Sequence, residues 1–326
     1  MTKAIAMRDA FLRKIHKEMD YDRKIFFVSA DFGSPVLDEI RRDYPERFIN
    51  VGIAEQNLIN ISAGLSLEGF KVFAYAIAPF ITMRCFEQLR VNLALLSEVR
   101  ELNVNLVGVG AGYSYVVSGP THQCYEDLSL IRSLPNFKIL SPSDHYSAEG
   151  VFQYCLDNKG PKYLRFDAQL LPALRNDVNK ELISNGFEVL QNDGSDGIII
   201  ATGYMVHTAL KVASYLREKG KFISVIDLVN LTGFDPKSLL KEIQGFPLIV
   251  TLEEGFEGRG GLDALIGSFV NKEGLKVKLE GIGVRPGYSF ELGTRQQLHE
   301  KVGIGERAVS TRIIKSFKEL ELRVHR

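Results

Sequence analysis

A chain of 326 residues, 45% hydrophobic and 25% charged, holds enough apolar material for two domains with separate cores. Lys plus Arg and Asp plus Glu both number 40, a balance that argues against a nucleic-acid or anionic-membrane surface. The three cysteines, Cys85, Cys124 and Cys155, lack CxxC spacing; this argues against a disulfide framework or a zinc site and fits a reducing cytoplasm.

In chain order, Ala4 to Met19 places Ile5, Phe11, Leu12 and Ile15 among charged neighbours, the rhythm of an amphipathic helix. No targeting segment is read between Met1 and Asp22, and no apolar run approaches the length of a membrane span. Ile25 to Ala30 is an apolar run ending in Asp31-Phe32-Gly33-Ser34-Pro35, a buried parallel strand entering a loop. Asp31 therefore falls at the carboxyl end of a strand, where such sheets place ligand-binding groups. Val51-Gly52-Ile53-Ala54-Glu55-Gln56-Asn57 turns into a helix with Glu55 in its first turn, and Ala54, Ser62, Ala63 and Gly64 give it a face of little bulk. Taken alone, a first-turn Glu complements the positive end of a helix dipole.

Strands over Lys71 to Ala78, Asn105 to Val109 and Phe137 to Leu140 alternate with helices around Thr82 to Ser97 and Tyr125 to Ser133. That alternation predicts an α/β fold with a mostly parallel sheet. The pattern lapses between Leu170 and Glu188, where Pro172, Asn176, Asp177 and Asn179 cluster. The expected division is a first domain over 1–170, a linker over 171–190 and a smaller domain over 191–326. In the second domain Asn192 to Gly197 reads as a turn, and strands at Ile198 to Gly203, Phe222 to Leu228, Leu248 to Leu252 and Val277 to Val284 alternate with helices at Val206 to Lys219 and Gly261 to Val270. Both domains are thus expected to be doubly wound.

Several residues carry a plain reading and a chemical one. Phe80, Met83 and Phe86 form an apolar stripe at i, i+3, i+6, which by itself is core. His122 lies in the loop Gly119-Pro120-Thr121-His122-Gln123, where a histidine satisfied by backbone is the default, and Arg165 at a strand end reads as an ordinary ion pair. Gly108 to Gly112 and Gly255 to Gly261 each follow a strand, as in dinucleotide-binding proteins. Neither has the GxGxxG spacing with an acid about twenty residues on.

The segment Gly52-Ile53-Ala54-Glu55-Gln56-Asn57, the loop Gly119 to Gln123 and the block Pro142-Ser143-Asp144 resemble, in order and spacing, the C-terminal half of the transketolase family of thiamine diphosphate enzymes. The likeness runs from Ile25 to Glu253-Glu254-Gly255 and more loosely to the C-terminus. It implies a pyrimidine-binding domain followed by a transketolase C-terminal-type domain. It further implies that Glu55 is the carboxyl that hydrogen-bonds the cofactor aminopyrimidine, its pKa raised by burial against aromatic residues. Phe80, Met83 and Phe86 would wall the pyrimidine, with Met83 standing where the family has an aromatic ring. Asp31 would stand near the cofactor. His122 would hydrogen-bond substrate oxygens and relay protons. Gln123, Glu126 and Asp127 would orient its loop. Arg165 matches the family's phosphate-clamping arginine, with Arg84 a second candidate cation.

The sequence also departs from that family. Members acting on sugar phosphates carry an acid at the position of Ser118, four residues before the histidine, and a second histidine at the position of Gly110. The Gly-Asp-Gly motif that holds a divalent metal on the diphosphate does not occur. The resemblance therefore implies a split enzyme, in which a separate N-terminal-type subunit holds the diphosphate and Mg2+, this chain supplies no metal ligand, and two copies of each chain assemble with two-fold symmetry. The implied reaction moves a two-carbon ketol unit from a ketose donor to an aldehyde acceptor, either a sugar or a sugar phosphate. Three alternatives stay open: a 1-deoxyxylulose-phosphate synthase-like activity, which the run Asp127 to Arg132 also resembles; a 2-oxo acid dehydrogenase beta-subunit-like activity; and a non-catalytic subunit that kept the fold.

Overall fold

The computed structural model describes residues 5–192 and 194–324; Ala4, the first residue of the expected N-terminal helix, and Asp193, inside the expected Asn192 to Gly197 turn, lie outside them. Strands β1 (Ile25–Ser29), β2 (Phe48–Asn50), β3 (Lys71–Ile77), β4 (Asn103–Val109), β5 (Lys138–Leu140) and β6 (Gly160–Phe166) form one parallel sheet in the order β2-β1-β3-β4-β6-β5. β4 is buried at every residue, as a strand covered on both faces must be, whereas the edge strand β2 is only half-buried.

Helices α1 (Met7–Glu18), α2 (Pro35–Asp43) and α6 (His145–Asp157) cover one face. There Phe11 of α1 meets the rings of Phe73, Phe152 and Phe166 edge-on at 5.8, 5.7 and 5.0 Å, an arrangement that suits the ring quadrupoles. The other face is covered by α3 (Glu55–Leu67) and by a helical stretch made of a π-helical turn (Phe80–Arg84), the short α4 (Phe86–Gln88) and a second π-helical run (Leu89–Leu95). An α-helix was expected over Thr82 to Ser97. Thr82 Oγ1 instead donates to the carbonyl of Ala78 at 2.7 Å and Cys85 Sγ to that of Ile81, side-chain insertions that accompany the widened turn. α5 (Asp127–Arg132) follows the Gly119 to Gln123 loop.

The second sheet contains β7 (Phe187–Gln191), β8 (Gly197–Ala201), β9 (Ile223–Leu228), β10 (Leu248–Phe256) and β11 (Lys278–Val284) in the order β11-β10-β8-β9-β7, parallel except for β7. Around it lie α8 (Met205–Glu218), α9 (Pro236–Ile243), α10 (Leu262–Lys272), α11 (Arg295–Val302) and α12 (Glu306–Val324). This sheet begins at Phe187, inside the segment read as linker, which also contains α7 (Lys180–Asn185). β7 escaped sequence reading because it is an edge strand with Glu188 and Gln191 half-buried, so no apolar run marks it.

The two sheets are joined by main-chain and ionic ties. Ser141 N donates to the Val229 carbonyl at 2.8 Å and Leu231 N to that of Ile139 at 2.9 Å. Arg175, buried between them, contacts Asp144 at 2.5 Å, Asp227 at 2.7 Å and Glu188 at 2.8 Å.

Candidate active site

The carboxyl edge of the first sheet gathers the polar side chains. At the end of β1, Asp31 adopts φ 52, rare for a residue with a side chain, and is held by Asn50 at the end of β2. Asn50 Nδ2 donates to Asp31 Oδ1 at 3.0 Å, while Asn50 Oδ1 accepts from Asp31 N at 3.1 Å and from Gly52 N at 3.0 Å. These bonds fix the turn through Gly52, φ 73, that feeds α3. Glu55 consequently opens that helix at its first residue, where a carboxylate meets free amide donors and the positive dipole end.

Glu55 is 2% exposed. A buried carboxylate needs a partner, and Glu55 Oε2 accepts from Arg84 Nη1 at 2.8 Å. The near neighbour is thus a cation, not the purely aromatic surround expected from sequence. Arg84 keeps 44% of its side chain exposed, and its guanidinium lies 4.5 Å over the Phe80 ring, a cation–π contact. Phe80 in turn meets the His122 imidazole edge-on at 5.3 Å. The π-helical turn that starts at Phe80 aims these side chains toward one another.

His122 is half-buried, and its Nδ1 lies 3.0 Å from Thr121 Oγ1. If Nδ1 accepts that hydroxyl proton, Nε2 carries the ring proton and is free to donate. The loop before and after His122 is clamped from both domains: Glu126 accepts from Tyr288 OH at 3.0 Å and from Tyr125 N at 3.1 Å, and Tyr125 OH donates to Gln123 Oε1. Ser118 is exposed in a turn, its amide donating to the Tyr115 carbonyl at 3.4 Å.

The structure joins Glu55, Arg84, Phe80 and His122 in one chain of contacts and separates other expected residues from it. Met83 is 39% exposed on the same turn. Phe86 packs on the core and lines a surface groove with Arg90, Ala94 and Pro135. Asp31 is turned to Asn50. Arg165, expected to clamp phosphate, is 2% exposed: its Nε donates to Asp127 Oδ2 at 2.7 Å and its Nη2 to the Glu254 carbonyl at 3.2 Å. Burial alone would lower its pKa, and the Asp127 carboxylate more than reverses this. Arg165 is a structural tie here, because it is enclosed and already paired with Asp127 and a carbonyl from the second domain.

Two residues that sequence reasoning did not single out stand at the same edge. Arg8, near the start of α1, pairs with Asp9 at 2.8 Å with 18% of its side chain exposed. It also interacts with Tyr75, at the end of β3, and with Tyr115. Burial pushes the Tyr115 hydroxyl up to about 12, against the pull of Arg8. Tyr115 lies over Gly110, φ 104, with its ring 6.5 Å from that of His122. The available signal was the pair of positions itself: a bulky aromatic five residues after a glycine that leaves a strand.

Toward thiamine diphosphate these residues fit one end only. A buried carboxylate with an aromatic ring one residue removed suits the pyrimidine. Among the described residues no group of three or more His, Cys, Asp or Glu could hold a metal ion. No helix among them is long and apolar enough to cross a membrane.

Residues 3–173 match the model of the transketolase pyrimidine-binding domain, and residues 187–319 that of the transketolase C-terminal domain. One subunit of the apulose-4-phosphate transketolase of Phocaeicola vulgatus is 31% identical over 94% of this chain and 97% of its own length. A 1-deoxy-D-xylulose-5-phosphate synthase of Synechococcus is 29% identical over 86% of this chain but only 43% of its own length. The solved structure described as a split gene transketolase, inactive beta4 tetramer, superposes with a TM-score of 0.83 at 29% identity, covering 97% of this chain and 99% of that one. Two successive family domains, matched in order along one chain whose buried glutamate opens α3 and is linked through Arg84 to Phe80 and His122, place this protein in the transketolase family.

Proposed function

We propose that this chain is the C-terminal-type subunit of a split transketolase and that it completes a thiamine diphosphate site whose diphosphate and Mg2+ are held by a partner subunit. The observation that carries the reading is Glu55: a carboxyl 2% exposed, set on the first turn of α3 and linked through Arg84 to Phe80 and His122. Bound thiamine diphosphate would supply the carbon nucleophile that takes up a two-carbon ketol unit. Glu55 would hydrogen-bond the pyrimidine, and Phe80 would lie against that ring. His122 would hold substrate oxygens and pass protons through Nε2, with Thr121 fixing the ring. Arg8, with 18% of its side chain exposed next to Tyr75 and Tyr115, is the cation placed to meet an anionic end of the sugar, a role that Arg165 is too enclosed to fill. The Phocaeicola relative, named for a ketose phosphate, supports an anionic substrate.

The test is titration calorimetry of thiamine diphosphate with Mg2+ into this chain alone and into its complex with a diphosphate-binding partner chain, followed by donor assays. Binding and ketose consumption only in the complex are expected. Consumption of pyruvate in place of ketoses would move the assignment to the synthase type, and a complex that binds no cofactor would sink the catalytic reading.

A further inference from the structure

Gly110 leaves β4 with φ 104, and a Cβ built there would overlap the Tyr115 ring at Cε2 and Cδ2. Positions 110 and 115 therefore share one volume: the first is bare because the second folds back over it. The Tyr115 ring is half-buried and set at 83° to the His122 imidazole, and its hydroxyl senses the charge of Arg8. Its loop neighbours point elsewhere, with Val117 80% exposed and Ser118 in solvent. Tyr115 is thus turned inward, between the imidazole and the rim arginine, two residues before the chain turns out to water at Val117.

We infer that Tyr115 is a specificity-determining residue of the substrate site: its ring is the wall along which the carbon chain of an aldose or ketose lies, and its hydroxyl reads a sugar hydroxyl beside Arg8. The inference rests on the transketolase reading proposed above. An aromatic face accepts the C–H face of a polyol, and a phenol both donates and accepts a hydrogen bond. A wall set back from His122 contributes binding only to substrates long enough to reach it. Short aldehydes occupy the imidazole end and miss it.

The experiment uses the complex with the partner chain, one ketose donor, and glycolaldehyde or ribose 5-phosphate as acceptor. For Tyr115→Ala we expect kcat/KM for ribose 5-phosphate to fall about tenfold or more relative to glycolaldehyde, mostly through KM. Any effect on the ketose donor is common to both acceptors and cancels in that ratio, and affinity for thiamine diphosphate should match wild type. Tyr115→Phe keeps the ring and removes one hydrogen bond, so its ratio should fall about threefold to tenfold; this variant also guards against a folding defect in the alanine one. An unchanged acceptor ratio in both variants, with wild type active, overturns this inference alone. A wild-type complex inactive toward every ketose overturns the transketolase reading and this inference with it.

Discussion

The rim of the site and the junction between the sheets use the same residue type in opposite ways. At the junction, Arg165, Arg175 and Arg295 are 2%, 9% and 5% exposed, and each is met by carboxylates. Arg295 contacts Asp167 at 2.6 Å, donates to Glu254 at 2.6 and 3.0 Å, and lies 3.6 Å over the Tyr204 ring. At the rim, Arg8 and Arg84 each have one acidic partner, and 18% and 44% of their side chains face water. A guanidinium enclosed among carboxylates in the dry interior fixes geometry, whereas one that keeps contact with water can exchange its partner for a ligand.

The comparison can be broken most sharply at Glu55. Glu55→Gln should leave unfolding curves close to wild type while turnover of the complex falls about 10²- to 10⁴-fold. A variant that melts early would instead make the buried carboxylate a structural element like those of the junction. Next in size, Arg165→Ala or Arg295→Ala strands a buried carboxylate and should cost about 3–5 kcal/mol in urea unfolding. If Arg165→Ala spares stability and raises KM for a phosphorylated sugar, the assignment of Arg165 as a tie is lost.

Adjacent glutamates on β10 sharpen the contrast with pH. Glu254 feels a desolvation that would raise its pKa, but Arg295 and His299 hold it below the usual range. Glu253 faces the other way, toward Gly261 and Asp263, with one carboxyl oxygen lacking a hydrogen-bond partner. Burial, then Asp263, pushes it up to about 7. Between the ordinary Glu range and pH 7 the folded protein therefore holds a proton that the unfolded chain has released. The stability contributed by Glu253 is complete below that range and is lost as pH rises through about 7. Glu253→Gln should flatten this dependence, by on the order of 3 kcal/mol between pH 5 and 8 in chemical denaturation. An unaltered pH profile would show that Glu253 is ionised throughout. The smallest effect is expected at Arg8: Arg8→Ala should change stability by under about 1 kcal/mol yet raise KM about tenfold for phosphorylated over neutral sugars. Equal KM changes for both would remove Arg8 from the anion role.

What could be read from sequence was local. Glu55 and His122 each sit in a contiguous segment whose neighbours define the backbone, and the alternation of apolar runs with amphipathic stretches gave the α/β order directly. Arg165 misled because its environment is assembled from afar: Asp127 opens α5 and the Glu254 carbonyl comes from another domain. Tyr115 and Arg8 were invisible for the same reason, since an N-terminal helix, the end of β3 and a loop meet only in three dimensions. β7 was missed because Glu188 and Gln191 break up its apolar residues Phe187, Val189 and Leu190, as an edge strand allows.

The π-helical turn at Phe80–Arg84 has an evolutionary consequence. Such a turn is an α-helix that has taken up one surplus residue locally, so the stretches on either side of it keep their own faces. The direction in which Phe80 and Arg84 point is therefore set independently of the face that Leu89 and Leu93 bury in the core. Single-residue insertions and deletions here can retune the aim of the pocket without repacking the sheet, a route to new substrates that point substitutions do not offer.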